Sequence, residues 1–341
     1  MLSGEHPTLP SAEVKAILEA ESLPYRVVEE KPCLLRLEAR RGAVEAVWRR
    51  AAYSRLSGIE LFTCRAEAGE ILRNCRETAF EDFIGEGESF AVRVRRVCGA
   101  ARVKEALELE REIGAIILRR VQGLKVNLKA PDKVFLGLRL RDGSFLFGFS
   151  SWQIPVKEFS ARRPGRKPFS HPSTLQPKFA RCMVNLARAR RGEILYDPFC
   201  GTGTILVEAG LIGVKPVGGD LQAKMVEGAR LNLKYYGVED YDLMVADALL
   251  PPLRGIKAIA TDPPYGRSAS TAGRSLSQLL EGFLAALAEI LSKEAYLCMA
   301  SPVEAELPAL AEAQGFKTVE EHAVHVHGGL TRLVAVLRLE G

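Results

Sequence analysis

The sequence predicts an α/β chain in which a parallel sheet with helices between its strands follows a smaller α+β half. Three observations carry that expectation. In the second half, four apolar runs each lead to an acid, Asp197, Asp220, Asp247 and Asp262, the pattern of strands that deliver polar groups to one rim of a sheet. The first of these runs continues into a glycine-rich turn, Gly201-Thr202-Gly203, and a helical stretch from Ile205 to Leu211, which together make the first βα unit of a Rossmann-like sheet. In the first half, Ser89 to Arg96 alternates apolar and basic residues with period 2, and Val134 to Leu140, Asp142-Gly143 and Phe145 to Phe149 read as strand, turn and strand.

Composition limits the classes open to this chain. Its 341 residues suit two or three domains at about 100 to 200 residues each, and 47% hydrophobic content supplies their cores. The charge of +5 and a pI near 8.8 permit an anionic partner without requiring one. Seven cysteines with no CxxC pair argue against a disulfide framework and for a reducing cytoplasm. Cys64 and Cys75 are close in sequence, but two free thiols is the simpler expectation. With no apolar leader and no apolar run of ~18 residues, neither secretion nor membrane spanning is expected. Asparagine occurs only at 74, 127, 185 and 232, a scarcity that points towards a thermophile.

Residues 1–60 should form a small α+β unit, with helices over 12–20 and 43–51 and a strand over 33–37. Residues 61–155 form the next. There Arg93 and Arg95 should project together from one strand face, with Arg96 beside them, after which come a helix from Lys104 to Ile113 and a short segment, Ala115 to Leu118. The run Lys125-Val126-Asn127-Leu128-Lys129-Ala130-Pro131-Asp132 adds Lys125 and Lys129 to this basic set. Residues 156–167 turn to Arg, Pro and Gly and read as a linker, leaving 168–341 as the sheet domain. A piece starting near Arg163 should therefore fold alone. The closing hairpin, 317–326 and 332–339 around Gly328-Gly329, suits an antiparallel last strand. His322, His325 and His327 lie near it without Cys or Asp partners, so no metal is expected.

The sharpest local signal is Thr261-Asp262-Pro263-Pro264-Tyr265-Gly266. Two prolines fix the backbone after the acid and hold the carbonyls there as rigid acceptors beside an aromatic ring, a set that suits a planar amino group on a heterocycle. A surface turn is the plain alternative, and the company of the three other acids argues against it. This stretch resembles the Asp/Asn-Pro-Pro-Tyr signature of S-adenosylmethionine-dependent methyltransferases that act on exocyclic amines of nucleobases. Phe90-x-Val92-Arg93-x-Arg95-Arg96 followed by Val126-Asn127-Leu128-Lys129-x-Pro131-Asp132 resembles the THUMP domain, an RNA-binding module of tRNA-modifying enzymes that follows a ferredoxin-like domain, a slot residues 1–60 would fill.

As a whole, the chain is similar to the archaeal THUMP-containing tRNA guanine-N2-methyltransferases acting on guanosine 10. The resemblance implies a Rossmann-like methyltransferase domain behind a ferredoxin-like plus THUMP region, S-adenosylmethionine as cofactor, tRNA as partner, a cytoplasmic location and a monomer. Asp262, Pro263, Pro264 and Tyr265 become the catalytic set. Cofactor contacts fall to Ser173, Thr174, Asp197, Phe199, Cys200, Gly201, Thr202, Gly203, Thr204, Asp220, Leu221, Asp247 and Ala248, with Asp197 taking the methionine ammonium, Asp220 the ribose hydroxyls and Asp247 the adenine amine. Leu206, where a dinucleotide fingerprint needs Gly or Ala, and Asp197, which repels phosphate, argue against NAD. RNA contacts fall to Arg93, Arg95, Arg96, Lys125 and Lys129. Guanosine 6 of tRNA, or adenine N6 in RNA or DNA, are the rival substrates, and a noncatalytic RNA-binding protein with a degenerate fold is the rival class. One or two methyl groups remain open at this stage.

Overall fold

The computed structural model describes residues 1–98, 106–150, 156–265, 275–327 and 330–340. They pack as two compact units. One comprises Met1–Glu5, Tyr25–Trp48 and Ser54–Ile154, and the other His6–Pro24, Arg49–Tyr53 and Pro155–Gly341. Residues 1–60, expected as one domain, thus contribute to both. No described helix is long and apolar enough to cross a membrane.

The first unit contains a two-stranded antiparallel ladder, β1 (Tyr25–Lys31) with β2 (Leu34–Ala39), and a five-stranded sheet. That sheet runs β3 (Ile59–Arg65), β7 (Ser144–Ser150), β6 (Lys133–Arg139), β4 (Ser89–Arg96), β5 (Lys125–Val126), parallel around β4 and antiparallel towards β3. Period-2 alternation puts Phe90, Val92 and Val94 of β4 on the face that meets helices α3 (Ala68–Glu77) and α4 (Ala106–Arg120). Phe80, Phe90, Phe135, Phe145 and Phe147 are fully buried there, each contributing ~1.5–3 kcal/mol by burial, with edge contacts such as Phe80 on Phe135 at 5.3 Å. Helix α4 continues through Gly114, so the expected break between Ile113 and Ala115 is absent, and Ile113 and Ile117 bury on one stripe. The expected helix start at Lys104 lies outside the described residues. Cys64 and Cys75 are free, whereas Cys33 and Cys98 form a disulfide, a pairing the spacing did not suggest.

The second unit is a seven-stranded sheet in the order β10 (Asp242–Val245), β9 (Lys215–Asp220), β8 (Ile194–Asp197), β11 (Ile256–Thr261), β12 (Leu291–Pro302), β14 (Leu330–Leu339), β13 (Phe316–His327). All neighbours are parallel except β14, which is antiparallel to both β12 and β13, as the final hairpin predicted. The turn residues Gly328 and Gly329 fall outside the described set. Helices α6 (Pro177–Leu186), α7 (Thr204–Gly210), α8 (Ala223–Tyr235), α9 (Leu276–Ile290) and α10 (Leu307–Ala313) accompany the strands, α9 starting on a Ser275/Gln278 capping box. The order reverses between β8 and β11, and at such a switch point a crevice opens at the carboxyl ends of the strands.

This unit reaches back into the amino-terminal residues. Helix α1 (Leu9–Ala20) buries Leu9 and Ala16 in the same core as Phe179, Met183, Leu195 and Val336. On its buried face, Glu13 accepts from the backbone N–H groups of Ala52 and Tyr53 and from Asn185 Nδ2, while Arg50 donates to Asn185 Oδ1 and the Ala189 carbonyl. A piece beginning at Arg163 lacks α1 and the Glu13 and Arg50 partners of the Asn185 side chain. Part of this unit's core, from residues 6–24 and 49–53, is thus absent from such a piece.

Candidate active site

The four acids read from the sequence meet on one rim. Asp197 closes β8, Asp220 closes β9, Asp247 lies two residues past β10, and Asp262 follows β11 directly, so four adjacent parallel strands present carboxylates at their carboxyl ends. Asp197 is 1% exposed and takes hydrogen bonds from Thr261 Oγ1 at 2.7 Å and the Phe199 N–H at 3.3 Å. Burial pushes its carboxyl up to about 7, and the nearby charges of Asp220 and Asp262 push the same way. A deep, anion-crowded carboxylate of this kind favours a cationic ligand.

Asp220 uses one oxygen on the Gly201 N–H at 3.0 Å and the other on the Gln222 N–H at 2.9 Å, which fixes its plane and leaves lone pairs on both oxygens for a diol; burial raises its pKa too. Asp247 accepts from the Leu249 N–H at 3.0 Å, while Leu221 beyond β9 is exposed and Ala248 buried. The glycine turn is close-packed: Gly203 has φ +73°, and a Cβ on it would stand 2.9 Å from that of Ala229 on α8. Phe199 packs edge-on against Phe283 at 5.0 Å, and Cys200 is buried beneath the turn.

Sequence reasoning missed several residues that hold this turn. Lys167, expected in the linker, reaches Thr202 Oγ1 at 3.0 Å and Thr204 Oγ1 at 2.7 Å, and burial brings its ammonium down to about 8. Thr174 Oγ1 lies 3.3 Å from Thr202 Oγ1, so the lead-in segment and the turn share one hydroxyl cluster, whereas Ser173 is exposed and faces His171. Asn232 on α8, fully buried, clamps the two by donating to the Phe169 and Thr202 carbonyls and accepting from the Phe169 N–H. Gly228 is required under the Phe169 ring, which a Cβ would overlap at 2.0 Å. Glu208, 1% exposed on α7, pairs with Arg162 at 2.7 Å and Arg181 at 2.8 Å. A buried carboxylate between two arginines thus fixes the residues expected to be linker. The signal for these was weak, because a lone Lys or Asn carries no pattern until the chain brings acceptors to it.

At the Asp-Pro-Pro-Tyr stretch, Asp262 is largely enclosed and Pro263 buried, while Gly266 lies outside the described residues. The Tyr265 hydroxyl donates to Asp262 Oδ1, and Arg332 of β14 stands 3.5 Å from Asp262 Oδ2 with its guanidinium 5.6 Å above the Tyr265 ring. Burial raises the Asp262 carboxyl, against the opposing effects of Arg332 and Tyr265, and pushes the Tyr265 phenol far up. The Arg332 guanidinium thus stands over the Tyr265 ring and beside the Asp262 carboxylate. A base amine reaching Asp262 Oδ1 must displace the tyrosine hydroxyl.

On the sheet of the first unit, Arg95 and Arg96 are exposed, as are Lys125 and Lys129. Arg93 departs from the expectation: it is half-buried and donates to the Val92 carbonyl and to the Leu128 carbonyl at 2.7 Å. Together with Asn127, which accepts from the Lys129 and Ala130 N–H groups, it shapes the loop that carries Lys129. Of the three histidines, buried His322 contacts Thr8 Oγ1 at 2.8 Å and Glu320 at 3.2 Å.

Comparison with known proteins agrees with this geometry. Residues 164–332 match the RMKL-like methyltransferase domain and residues 65–146 the THUMP domain. The chain is 38% identical to the tRNA (guanine(10)-N2)-dimethyltransferase of Methanothermobacter thermautotrophicus over 99% of this chain and 98% of that one. It is 39% identical to the protein of the same name from Pyrococcus abyssi, over 97% and 96%. Among solved structures, TrmN from Thermus thermophilus superposes over 99% of each chain with a TM-score of 0.52 at 22% identity, a likeness of fold.

Proposed function

The chain belongs to the family of archaeal THUMP-containing tRNA (guanine(10)-N2)-dimethyltransferases, and from that premise we propose how its own residues perform the reaction: S-adenosylmethionine-dependent methylation, in two rounds, of the exocyclic N2 of guanosine 10 in tRNA. The observation that carries the reading is Asp262 enclosed beside Pro263 on the same rim as Asp197 and Asp220. Neither adenine N6 nor guanosine 6 is favoured by the relatives.

The residues present fit the cofactor. Its ammonium would be met by the buried Asp197, its ribose hydroxyls by the lone pairs of Asp220 and its adenine amine by Asp247; the Gly201 to Gly203 turn would allow backbone approach, and Thr174, Thr202 and Thr204 would offer hydroxyls to the methionine end. When bound, S-adenosylmethionine supplies an electrophilic methyl group on a sulfonium.

The lone pair of a guanine amine is delocalised into the ring, so the site has to localise it. Asp262 and the Pro263 carbonyl each accept one N–H, which turns the lone pair out of the ring plane towards the methyl. Once the nitrogen has gained its methyl it sheds a proton, and Asp262, its basicity raised by burial, is the adjacent acceptor. Tyr265 stacks on the base, which has left its helix at a cost of a few kcal/mol. Arg95, Arg96, Lys125 and Lys129 hold the tRNA by phosphate contacts that position without reading sequence. Arg93 acts through the loop it orders.

This assignment predicts a separation of effects. Asp262→Ala should lower methyl transfer to tRNA by ~10² or more while the calorimetric affinity for S-adenosylmethionine stays within about twofold. Near-normal turnover would remove Asp262 from the chemistry.

A further inference from the structure

Asp-Pro-Pro-Tyr grips an amine, and adenine has one as well, so the motif alone does not choose the base. The neighbour that can choose is Arg332. It comes from β14, pairs in the ladder with Pro302 on one side and Val324 on the other, and projects to within 3.5 Å of Asp262 Oδ2. Its guanidinium stands 5.6 Å from the centre of the Tyr265 ring and 5.9 Å from that of Phe179. The Nε atom is buried and has no hydrogen-bond partner among the described residues. An arginine within cation–π distance of two rings, beside a carboxylate and keeping an unsatisfied donor, is set to meet a further acceptor.

The order of groups specifies that acceptor. The Pro263 carbonyl and Asp262 can only accept, whereas Arg332, beside Asp262, can only donate. The pairing edge of guanine runs donor, donor, acceptor: N2–H, N1–H, O6. Adenine laid in the same pose places an acceptor at N1, against the Asp262 carboxylate, and its amine against the guanidinium, away from Asp262 and Pro263.

We propose that Arg332 selects guanine by donating to carbonyl O6 of the flipped base while Asp262 accepts from N1–H and N2–H. The proposal rests on the N2-methylation reading above and adds to it the origin of base choice. Arginine is also the side chain that meets O6 of guanine most often in nucleic-acid recognition, for the same geometric reason. Arg332 is thus a specificity-determining residue on a strand that carries none of the sequence motifs.

The test is a two-by-two measurement of single-turnover kcat/KM. The protein is wild type or Arg332→Met, and the substrate is tRNA carrying either guanosine or 6-thioguanosine at position 10. Sulfur keeps N1–H and N2–H but accepts hydrogen bonds poorly. Wild type should prefer guanosine by roughly 10- to 100-fold, the range of a hydrogen bond to a charged group. Arg332→Met should lose that factor on guanosine and show a ratio near 1. If Arg332→Met lowers both substrates equally and keeps the wild-type ratio, Arg332 only supports the fold and the proposal is overturned. Should Arg332→Met be inactive with both, Arg332→Lys decides: a ratio between 1 and the wild-type value supports base contact, and an unchanged ratio overturns it. Cofactor affinity measured by calorimetry on each variant separates loss of fold from loss of selectivity. Failure of wild type to methylate the guanosine tRNA would overturn the N2-methylation reading itself, and with it this proposal.

Discussion

Lowering the pH should weaken cofactor binding through Asp197 before it affects anything else at the rim. The folded-state carboxyl is raised from 3.8 to about 7 by burial, so in the free protein near neutrality it is about half protonated. Sign follows from that direction. Ionising a buried acid costs the free protein stability as pH rises from about 4 to 7, and a cationic ligand beside it offsets the cost. Binding therefore favours the carboxylate and expels a proton below pH 7. With a pKa of 7, the fraction ionised is ~3% at pH 5.5 and ~75% at pH 7.5, so affinity should fall roughly 25-fold between them, or about 2 kcal/mol. The cofactor's own α-amino group stays largely protonated over this range. Titration calorimetry at pH 5.5, 6.5 and 7.5, each in two buffers of different ionisation enthalpy, reads both the affinity and the proton released. Asp197→Asn should bind more weakly and lose most of the pH dependence, leaving the smaller slope owed to Asp220. A dissociation constant that is flat from pH 5.5 to 7.5, or an equal slope in Asp197→Asn, would refute the placement of a cation on Asp197.

Other expectations follow from the same contacts. Lys167→Met removes the donor that ties Thr202 to Thr204, and should weaken S-adenosylmethionine binding by ~5- to 50-fold, with less effect on 5′-methylthioadenosine, which has no amino-acid end to meet that cluster. Glu208→Ala leaves Arg162 and Arg181 buried without their anion and should cost ~3–5 kcal/mol, seen as a fall in Tm of about 6–20 °C in calorimetry. A change under 1 °C would show that water reaches the pair. Raising salt from 50 to 200 mM should lower tRNA affinity by at least tenfold, and Arg95→Ala with Lys129→Ala should flatten that slope by about two phosphate contacts in filter binding.

Most of the sheet was legible because its strands carry their function at their ends. Asp197, Asp220 and Asp262 each follow an apolar run, and the βα turn between Asp197 and Thr204 has a glycine where φ turns positive, so position in sequence maps onto position on the rim. What could not be read depends on distant chain segments. Arg332 lies 70 residues beyond Asp262 and is indistinguishable in sequence from the solvent-facing arginines of a hairpin. Lys167 looked like linker because only the folded turn supplies its two hydroxyl acceptors. That residues 1–60 divide between the two units is hidden for a related reason: α1 has an ordinary apolar stripe, and nothing in it says whether α6 or a nearer strand will cover it. Arg93 showed the limit of period-2 reading, since alternation assigns a face but not whether the loop from Lys125 to Ala130 will close over it.

The most direct test of the whole account is position-resolved nucleoside mass spectrometry of a tRNA transcript after reaction with the full chain and S-adenosylmethionine. The account predicts N2-methylguanosine appearing first and N2,N2-dimethylguanosine replacing it, both confined to position 10 and both absent when guanosine 10 is replaced by inosine, which lacks the amine. Methylation at guanosine 6, or on any adenine, would contradict it.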